Sequence, residues 1–172
     1  MPTHAPTSEP PPSAPVCPLW RRLCALLYDL LIVVAIVMVV GLLCQLATGG
    51  RLIGTGRAIV IPLWYQILQA LVVSAYFVSA WLRGGQTLGM RSWRIRITRD
   101  DGGALTLQQA LIRLLVAAAP LVLLMLAPIV GLRAALWTLG LAWAAWFAVA
   151  LFDPRRRALH DLAAASEIRR LR

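Results

Sequence analysis

Four long apolar runs dominate the sequence and limit the structures that it can form. They extend over about residues 23–47, 58–82, 107–130 and 134–152. A helix rises 1.5 Å per residue, so about 20 residues cross the roughly 30 Å hydrocarbon core of a bilayer. Hydrophobic residues make up 60% of the 172 residues and charged residues only 14%, which excludes an ordinary soluble domain. The sequence therefore predicts an all-α integral membrane protein, a bundle of four transmembrane helices.

Residues at the ends of the runs support this division. Thr106 and Gln109 have the spacing of a capping box, which predicts that the third helix begins near Leu107. Pro120 and Pro128 predict kinks in that helix, because proline removes a backbone donor and clashes with the preceding turn. The segment 131–133 separates the last two runs.

The distribution of arginine predicts the orientation of the chain. The net charge is +10, and every basic residue is arginine. Thirteen arginines flank the runs on one side of the predicted membrane: Arg21, Arg22, Arg83, Arg91, Arg94, Arg96, Arg99, Arg155, Arg156, Arg157, Arg169, Arg170 and Arg172. Three lie on the other side: Arg51, Arg57 and Arg133. The positive-inside rule then predicts a bacterial inner-membrane protein with both termini in the cytoplasm.

The same arrangement predicts which partners the basic residues have. The arginines lie in short segments beside apolar runs, which is typical of contact with anionic lipids at the cytoplasmic face. The sequence has no pattern of a folded basic domain that could bind nucleic acid, so we expect none to be bound.

The segments outside the runs are short. Residues 1–18 contain seven of the eleven prolines and predict a disordered tail, followed by a membrane domain over about 19–170. Trp93, Ile95 and Ile97 alternate with arginines, which predicts a short cytoplasmic strand followed by a turn at 100–103. Residues 155–165 predict a short interfacial helix.

Asp29 is the most informative polar residue. It lies seven residues after Arg22, about 10 Å deeper along a helix, and shares one helix face with Arg22 and Ala25. A charge near the bilayer centre costs about 2.5–3.5 kcal/mol on insertion scales, so something must offset that cost. Asp29 is therefore an ion- or proton-binding carboxylate, part of a polar substrate site, or half of a structural pair that holds helices together. Arg113, two turns into the third run, is the predicted partner; the alternative is that its side chain extends to the headgroups.

Two further helix faces carry recognisable patterns. Tyr65, Gln69, Tyr76 and Ser79 form a polar stripe on the second run, which fits either a solute pathway or ordinary hydrogen bonding between helices. Gly140, Ala144 and Ala148 repeat a small residue every four positions on the fourth run and predict a close-packing face.

Other combinations do not indicate catalysis. The three cysteines, Cys17, Cys24 and Cys44, have no zinc-ligand spacing, and we expect no metal, cofactor or disulfide. His160 and Asp161 are adjacent on the predicted helix, point about 100° apart and have no nucleophile nearby. Asp161 is better explained as the i+4 partner of Arg157. The sequence therefore predicts a protein that is not an enzyme.

Four motifs in fixed order resemble those of the RDD family of bacterial membrane proteins. They are Arg22, Ala25 and Asp29 in the first run, Gly-Gln-Thr-Leu-Gly at 85–89, Arg113 in the third run, and Arg-Arg-Ala-Leu-His-Asp-Leu at 156–162. The resemblance covers about residues 19–170. It implies that Arg22, Asp29 and Asp161 are the arginine and the two aspartates for which the family is named. Met90 departs from the pattern, where lysine is usual, as do Ala165 and Ser166, where Gly-Thr is usual.

These observations predict a multi-pass membrane protein that transports a cation, a proton or a small solute. The residues expected at its site, or in a structural polar network, are Arg22, Asp29, Gln69, Tyr76, Arg113 and Asp161. Four helices are few for a pathway, so we expect a homo-oligomer or a larger membrane complex. The alternative is a non-catalytic membrane scaffold or assembly partner, in which the same residues hold helices together.

Overall fold

The computed structural model describes residues 17–52, 54–55 and 59–171. Residues 1–16, which form most of the predicted disordered tail, lie outside this part of the chain, as do Arg57 and Arg172 from the arginine count. Cys17, assigned to the tail from the sequence, is fully buried.

Four helical segments are long and apolar enough to cross a membrane, which confirms the predicted fold class. Helix α1 is Leu19–Ala47, α2 is Leu63–Gly84, the third segment is Leu107–Val130 and α6 is Leu132–Phe152. The predicted start of the second helix at residue 58 is wrong. Two short strands, β1 (Gly54–Thr55) and β2 (Ile59–Val60), pair there, and α2 begins directly after Pro62, which cannot donate a hydrogen bond inside a helix.

The third segment changes its helical geometry at both predicted kinks. Helix α4 (Leu107–Ala118) begins with the predicted capping box of Thr106 and Gln109. A 3₁₀ helix follows over Ala119–Leu126, and α5 is Ala127–Val130. Pro120 and Pro128 each lie at the second residue of the new segment, where the missing N–H leaves no helical bond broken.

The arginine-rich end of the bundle carries a small folded region, which we call the cap. It consists of α3 (Leu88–Ser92), β3 (Ile95–Arg99), α7 (Leu159–Ala163) and β4 (Ser166–Arg170). Strands β3 and β4 pair antiparallel, with Ile97 opposite Ile168.

The predicted strand is confirmed, but it extends over Ile95–Arg99 and not over 93–97, and its partner β4 was not predicted. The predicted interfacial helix over 155–165 holds only for Leu159–Ala163. Arg156 and Ala165 have φ values of +54° and +45°, which a continuing right-handed helix does not allow.

The buried hydrophobic cluster lies where the cap meets the helix ends and not among the outer halves of the helices. Its members come from α1 and the residue before its N-cap, the end of α2, both paired strands, and α4 and the residue before its N-cap: Cys17, Ala25, Trp81, Ile95, Ile97, Leu105, Ala110 and Ile168. By contrast, large apolar residues along all four spanning segments are exposed, as lipid-facing side chains must be. The cap therefore fixes how the arginine-rich ends of the helices are arranged.

Candidate functional site

Asp161 is the centre of a buried ionic cluster in the cap. It lies near the start of α7 with no exposed surface, and its carboxylate accepts hydrogen bonds from Arg22 Nη1 at 3.1 Å and from Arg113 Nη1. The backbone N–H of Ala158 donates to it at 3.0 Å. Arg22 is on α1 and Arg113 is on α4, so one carboxylate joins three helices.

Further contacts hold the same cluster in place. Arg113 Nη1 donates to Ser166 Oγ at 3.0 Å, and Ser166 Oγ donates to the Asp161 carbonyl oxygen at 3.3 Å. The Arg113 guanidinium also lies over the Trp81 ring, 5.4 Å from its centre. Burial by itself raises the pKa of Asp161, but the charges of Arg113 and Arg22 outweigh that effect and hold the pKa below its ordinary value. Asp161 is therefore ionised at neutral pH.

The predicted pair of Arg157 and Asp161 is wrong. Arg157 Nε instead donates to Asp153 at the end of α6, at 3.1 Å, and Arg157 Nη1 lies 3.5 Å from Asp100. The reason is that residues 154–158 do not continue a helix, so the i, i+4 spacing does not bring the two side chains together.

Asp29 forms a second buried centre, one helix turn deeper than Ala25. Its carboxylate accepts hydrogen bonds from Thr87 Oγ1 at 2.5 Å, from the Gly89 N–H at 3.0 Å and from Tyr76 Oη at 3.0 Å. All three donors are neutral. Only 4% of the side chain is exposed, so these bonds replace its contact with water.

The residues of the turn at 85–89 allow it to approach both β3 and the Asp29 carboxylate closely. Gly85 has a φ of +65°, and a Cβ there would lie 2.5 Å from the Ile97 carbonyl oxygen. The Gln86 side-chain amide donates to the Ile95 carbonyl oxygen at 2.7 Å, which attaches the turn to β3. A Cβ on Gly89 would collide with the Ala25 backbone and lie 2.9 Å from the Asp29 carboxylate. Glycine at 89 therefore allows the Gly89 N–H to approach Asp29.

The predicted pairing of Asp29 with Arg113 is also wrong. Arg113 bonds to Asp161, and among the described residues Asp29 has no ionic partner. The two residues were predicted to lie at similar depths on the first and third helices. However, α3 packs over Asp29, while the Arg113 side chain reaches the cap and meets Asp161.

A small cavity of about 50 Å³ nevertheless lies between the two centres. Its polar lining residues are Arg22, Asp29, Arg113, His160 and Asp161, and Met90 is one of its apolar lining residues. Met90 is the position at which the resemblance noted in the sequence implies lysine. An apolar thioether therefore faces the cavity in this chain.

The polar stripe on α2 divides into two parts. Tyr76 bonds to Asp29 and belongs to the site. Gln69 lies further along the helix, where it donates to Tyr65 Oη at 2.6 Å and to the Val37 carbonyl oxygen at 3.1 Å. The Ser79 hydroxyl donates within its own helix, to the Tyr76 carbonyl oxygen. Gln69 thus links α2 to α1 and is separate from the Asp29 centre.

Sequence reasoning missed two site residues, Thr87 and Ser166. Thr87 lies inside the 85–89 motif, so that motif was a usable signal for it. Ser166 was noted only as a departure from the family pattern, and its bond to Arg113 could not be predicted because it depends on the pairing of β4 with β3. Within residues 17–52, 54–55 and 59–171, no group of three or more His, Cys, Asp and Glu side chains could hold a metal ion.

Four apolar spanning segments and a cap that encloses two aspartate centres define a multi-pass membrane protein. A family model described as the RDD family matches residues 16–165, and the chain belongs to this family. The match covers all four motifs on which the resemblance was based. The comparisons with curated proteins and with solved structures gave no match.

Proposed function

We propose that the chain is a transporter, or a subunit of one, that couples movement of a cation or small solute to protons, and that Asp29 carries the coupling proton. The observation that supports this most is the set of partners of Asp29: a buried intramembrane carboxylate bound, among the described residues, by neutral groups only. Intramembrane carboxylates commonly mark ion or proton pathways.

The two aspartate centres differ in the way this proposal requires. Asp161 lies against two guanidinium groups and remains ionised. Asp29 contacts the hydroxyls of Thr87 and Tyr76, and a hydroxyl can either donate or accept a hydrogen bond. The same pocket can therefore hold the carboxylate, which accepts from both hydroxyls, and the carboxylic acid, which donates to one of them.

We also propose a location and an oligomeric state for the chain. We place the cap in the cytoplasm of a bacterium, with the exposed arginines in contact with anionic lipids of the inner membrane. We also propose a homo-oligomer, since four helices give few surfaces for a solute pathway. A Cβ added at Gly140 on α6 would have no described atom within 4 Å, so the small-residue face of α6 is open there within one chain. The protein would act without enzymatic chemistry.

Proton flux in proteoliposomes tests the proposal through Asp29→Asn. Asparagine has the same shape: its Oδ1 can accept from the Gly89 N–H and from Tyr76 Oη, and its amide group can donate to Thr87 Oγ1. It does not bind a proton, so we expect the flux to be lost and the folded yield retained. Asp101→Asn is the matched control, because Asp101 is an exposed carboxylate on the cap, and it should keep wild-type flux. An Asp29→Asn protein with wild-type flux would remove Asp29 from the mechanism.

A second candidate function is a non-catalytic scaffold for a larger membrane complex. The observation that favours it is the Asp161 cluster, in which every described bond holds α1, α4, α7 and β4 of the chain together. A scaffold predicts no flux from well-folded wild-type protein and stable co-purification of a partner. It also predicts that Asp29→Asn lowers folded yield.

A further inference from the structure

We propose that His160 and the cavity beside it form the route by which protons from the cap side reach Asp29. This inference rests on the proposed function only in what the proton does after it reaches Asp29. Its test, however, measures protonation of Asp29 directly and does not depend on transport. The first supporting observation is that the same cavity of about 50 Å³ is lined by both His160 and Asp29.

The cavity has the size and polarity of a water site. A cavity needs only about 10–15 Å³ of space for the centre of a water molecule to hold one, and a buried water needs two to four polar partners. Arg22, Asp29, Arg113, His160 and Asp161 provide more than that number. We therefore expect at least one water molecule to connect the imidazole and the Asp29 carboxylate across the cavity.

His160 is the cavity group best placed to exchange protons with the outside. Its side chain is 12% exposed, compared with 4% for Asp29, 3% for Arg22 and Arg113, and none for Asp161. The two arginines do not release protons under ordinary conditions, and Asp161 is bound by both of them. Among the titratable residues that line the cavity, His160 is thus the one that combines exposure with exchangeable protons.

Burial and the two nearby arginines keep the His160 ring neutral, against the opposing charge of Asp161. Asp161 lies next to it in α7, Arg113 faces it from α4, Arg22 faces it from α1, and Asp29 lies across the cavity, while α6 packs the apolar Phe147 ring against it, 5.6 Å away. Burial first, then the charge of Arg113, lowers the pKa of His160 to about 4. At neutral pH the imidazole therefore has one free nitrogen that can accept a proton.

The relay step conserves every proton. One ring nitrogen of neutral His160 binds a proton from the cap side, and the other ring nitrogen releases its proton to the cavity water. That water passes a proton to the Asp29 carboxylate, which becomes a carboxylic acid. Return of His160 to its first tautomer completes the step, and the same steps in reverse release the proton.

The test is the rate at which Asp29 becomes protonated after a rapid drop in pH. Time-resolved infrared spectroscopy follows the carboxylic acid C=O band, and the band that Asp29→Asn removes belongs to Asp29. We expect His160→Ala to slow the rise of this band by about 10-fold or more, because a positioned proton-transfer group typically contributes at least that factor. Added imidazole should fit the space left by the ring and restore the rate.

A control and the opposing outcomes make the test decisive. Leu162→Ala changes an exposed residue of the same short helix and should leave the rate unchanged. Wild-type kinetics in His160→Ala, a slow rate that imidazole does not restore, or no Asp29 band in the wild type would each overturn the inference. If the wild type protonates Asp29 through His160 but shows no flux in proteoliposomes, the proposed function fails and the proton route stands.

Discussion

The two ends of the molecule are built on different physical principles. In the cap, two strands, two short helices and the ends of three long helices enclose a hydrophobic cluster and a buried ionic cluster. At the far end, near α5, large apolar side chains are open to the surroundings; Ile129 is 81% exposed. In lipid such exposure costs little, because hydrocarbon chains replace water. Side-chain packing therefore determines the structure of the cap, and membrane insertion governs the far end.

A variant that breaks the ionic cluster of the cap should lower the stability of the fold more than any other change. Asp161→Asn leaves Arg22 and Arg113 buried without a carboxylate, and removing one partner of a buried ionic group costs about 3–5 kcal/mol. We expect a marked fall in the thermal unfolding midpoint in detergent and in the monodisperse fraction. Asp101→Asn removes an exposed pair with Arg99 and should cost less than about 1 kcal/mol. Equal midpoints for the two variants would show that the cap cluster does not stabilise the fold.

The same Ile→Ala substitution, made once in the cap and once at the far end, compares the stability that packing contributes at each end without changing charge. Ile97→Ala empties a buried position in β3 and should cost about 2–5 kcal/mol. The same change at Ile129 in α5 removes lipid-facing surface and should cost about 0.5 kcal/mol or less. Thermal unfolding in one detergent gives both values, and a larger loss at Ile129 would mean that the far end packs against another surface.

Gly84 and Gly89, at the edge of the cap, allow an open position and a closely packed position to be compared directly. Gly89→Ala places a Cβ against the Ala25 backbone and the Asp29 carboxylate, and we expect a loss of about 1–3 kcal/mol from overpacking. Gly84, at the end of α2, has no described atom within 4 Å of the same added Cβ, so Gly84→Ala should be neutral or slightly stabilising. Thermal unfolding of both variants checks this; similar losses would contradict the close approach of α3 to α1.

The sequence predicted the membrane-spanning part of the fold well, for a simple reason. A helix in lipid satisfies its own backbone, so long apolar runs are sufficient to identify it. Local signals were also reliable, as Thr106, Gln109, Pro120 and Pro128 show. Strand β4 was missed because it is defined by its contact with β3, which is distant in sequence. The start of α2 was missed for a local reason, because strands β1 and β2 pair just before Pro62.

The candidate site shows the same division. Residue type and depth were enough to identify Arg22, Asp29, Tyr76 and Arg113 as polar groups that needed partners. The spacing of residues along one helix did not show which partner each of these polar groups has. Asp29 and Arg113 were the nearest opposite charges by depth, yet α3 and α7 brought closer partners to both.

Hydrophobicity and charge, which act locally along the chain, were enough to establish the four spans, the gathering of arginines at one end and the carboxylate inside the first span. Only the folded chain shows the partners of the charged groups. Asp161 binds both Arg22 and Arg113, and the described partners of Asp29 are neutral donors. That outcome depends on where the cap folds onto the helix ends, because hydrogen bonds and ion pairs require contact within about 3 Å.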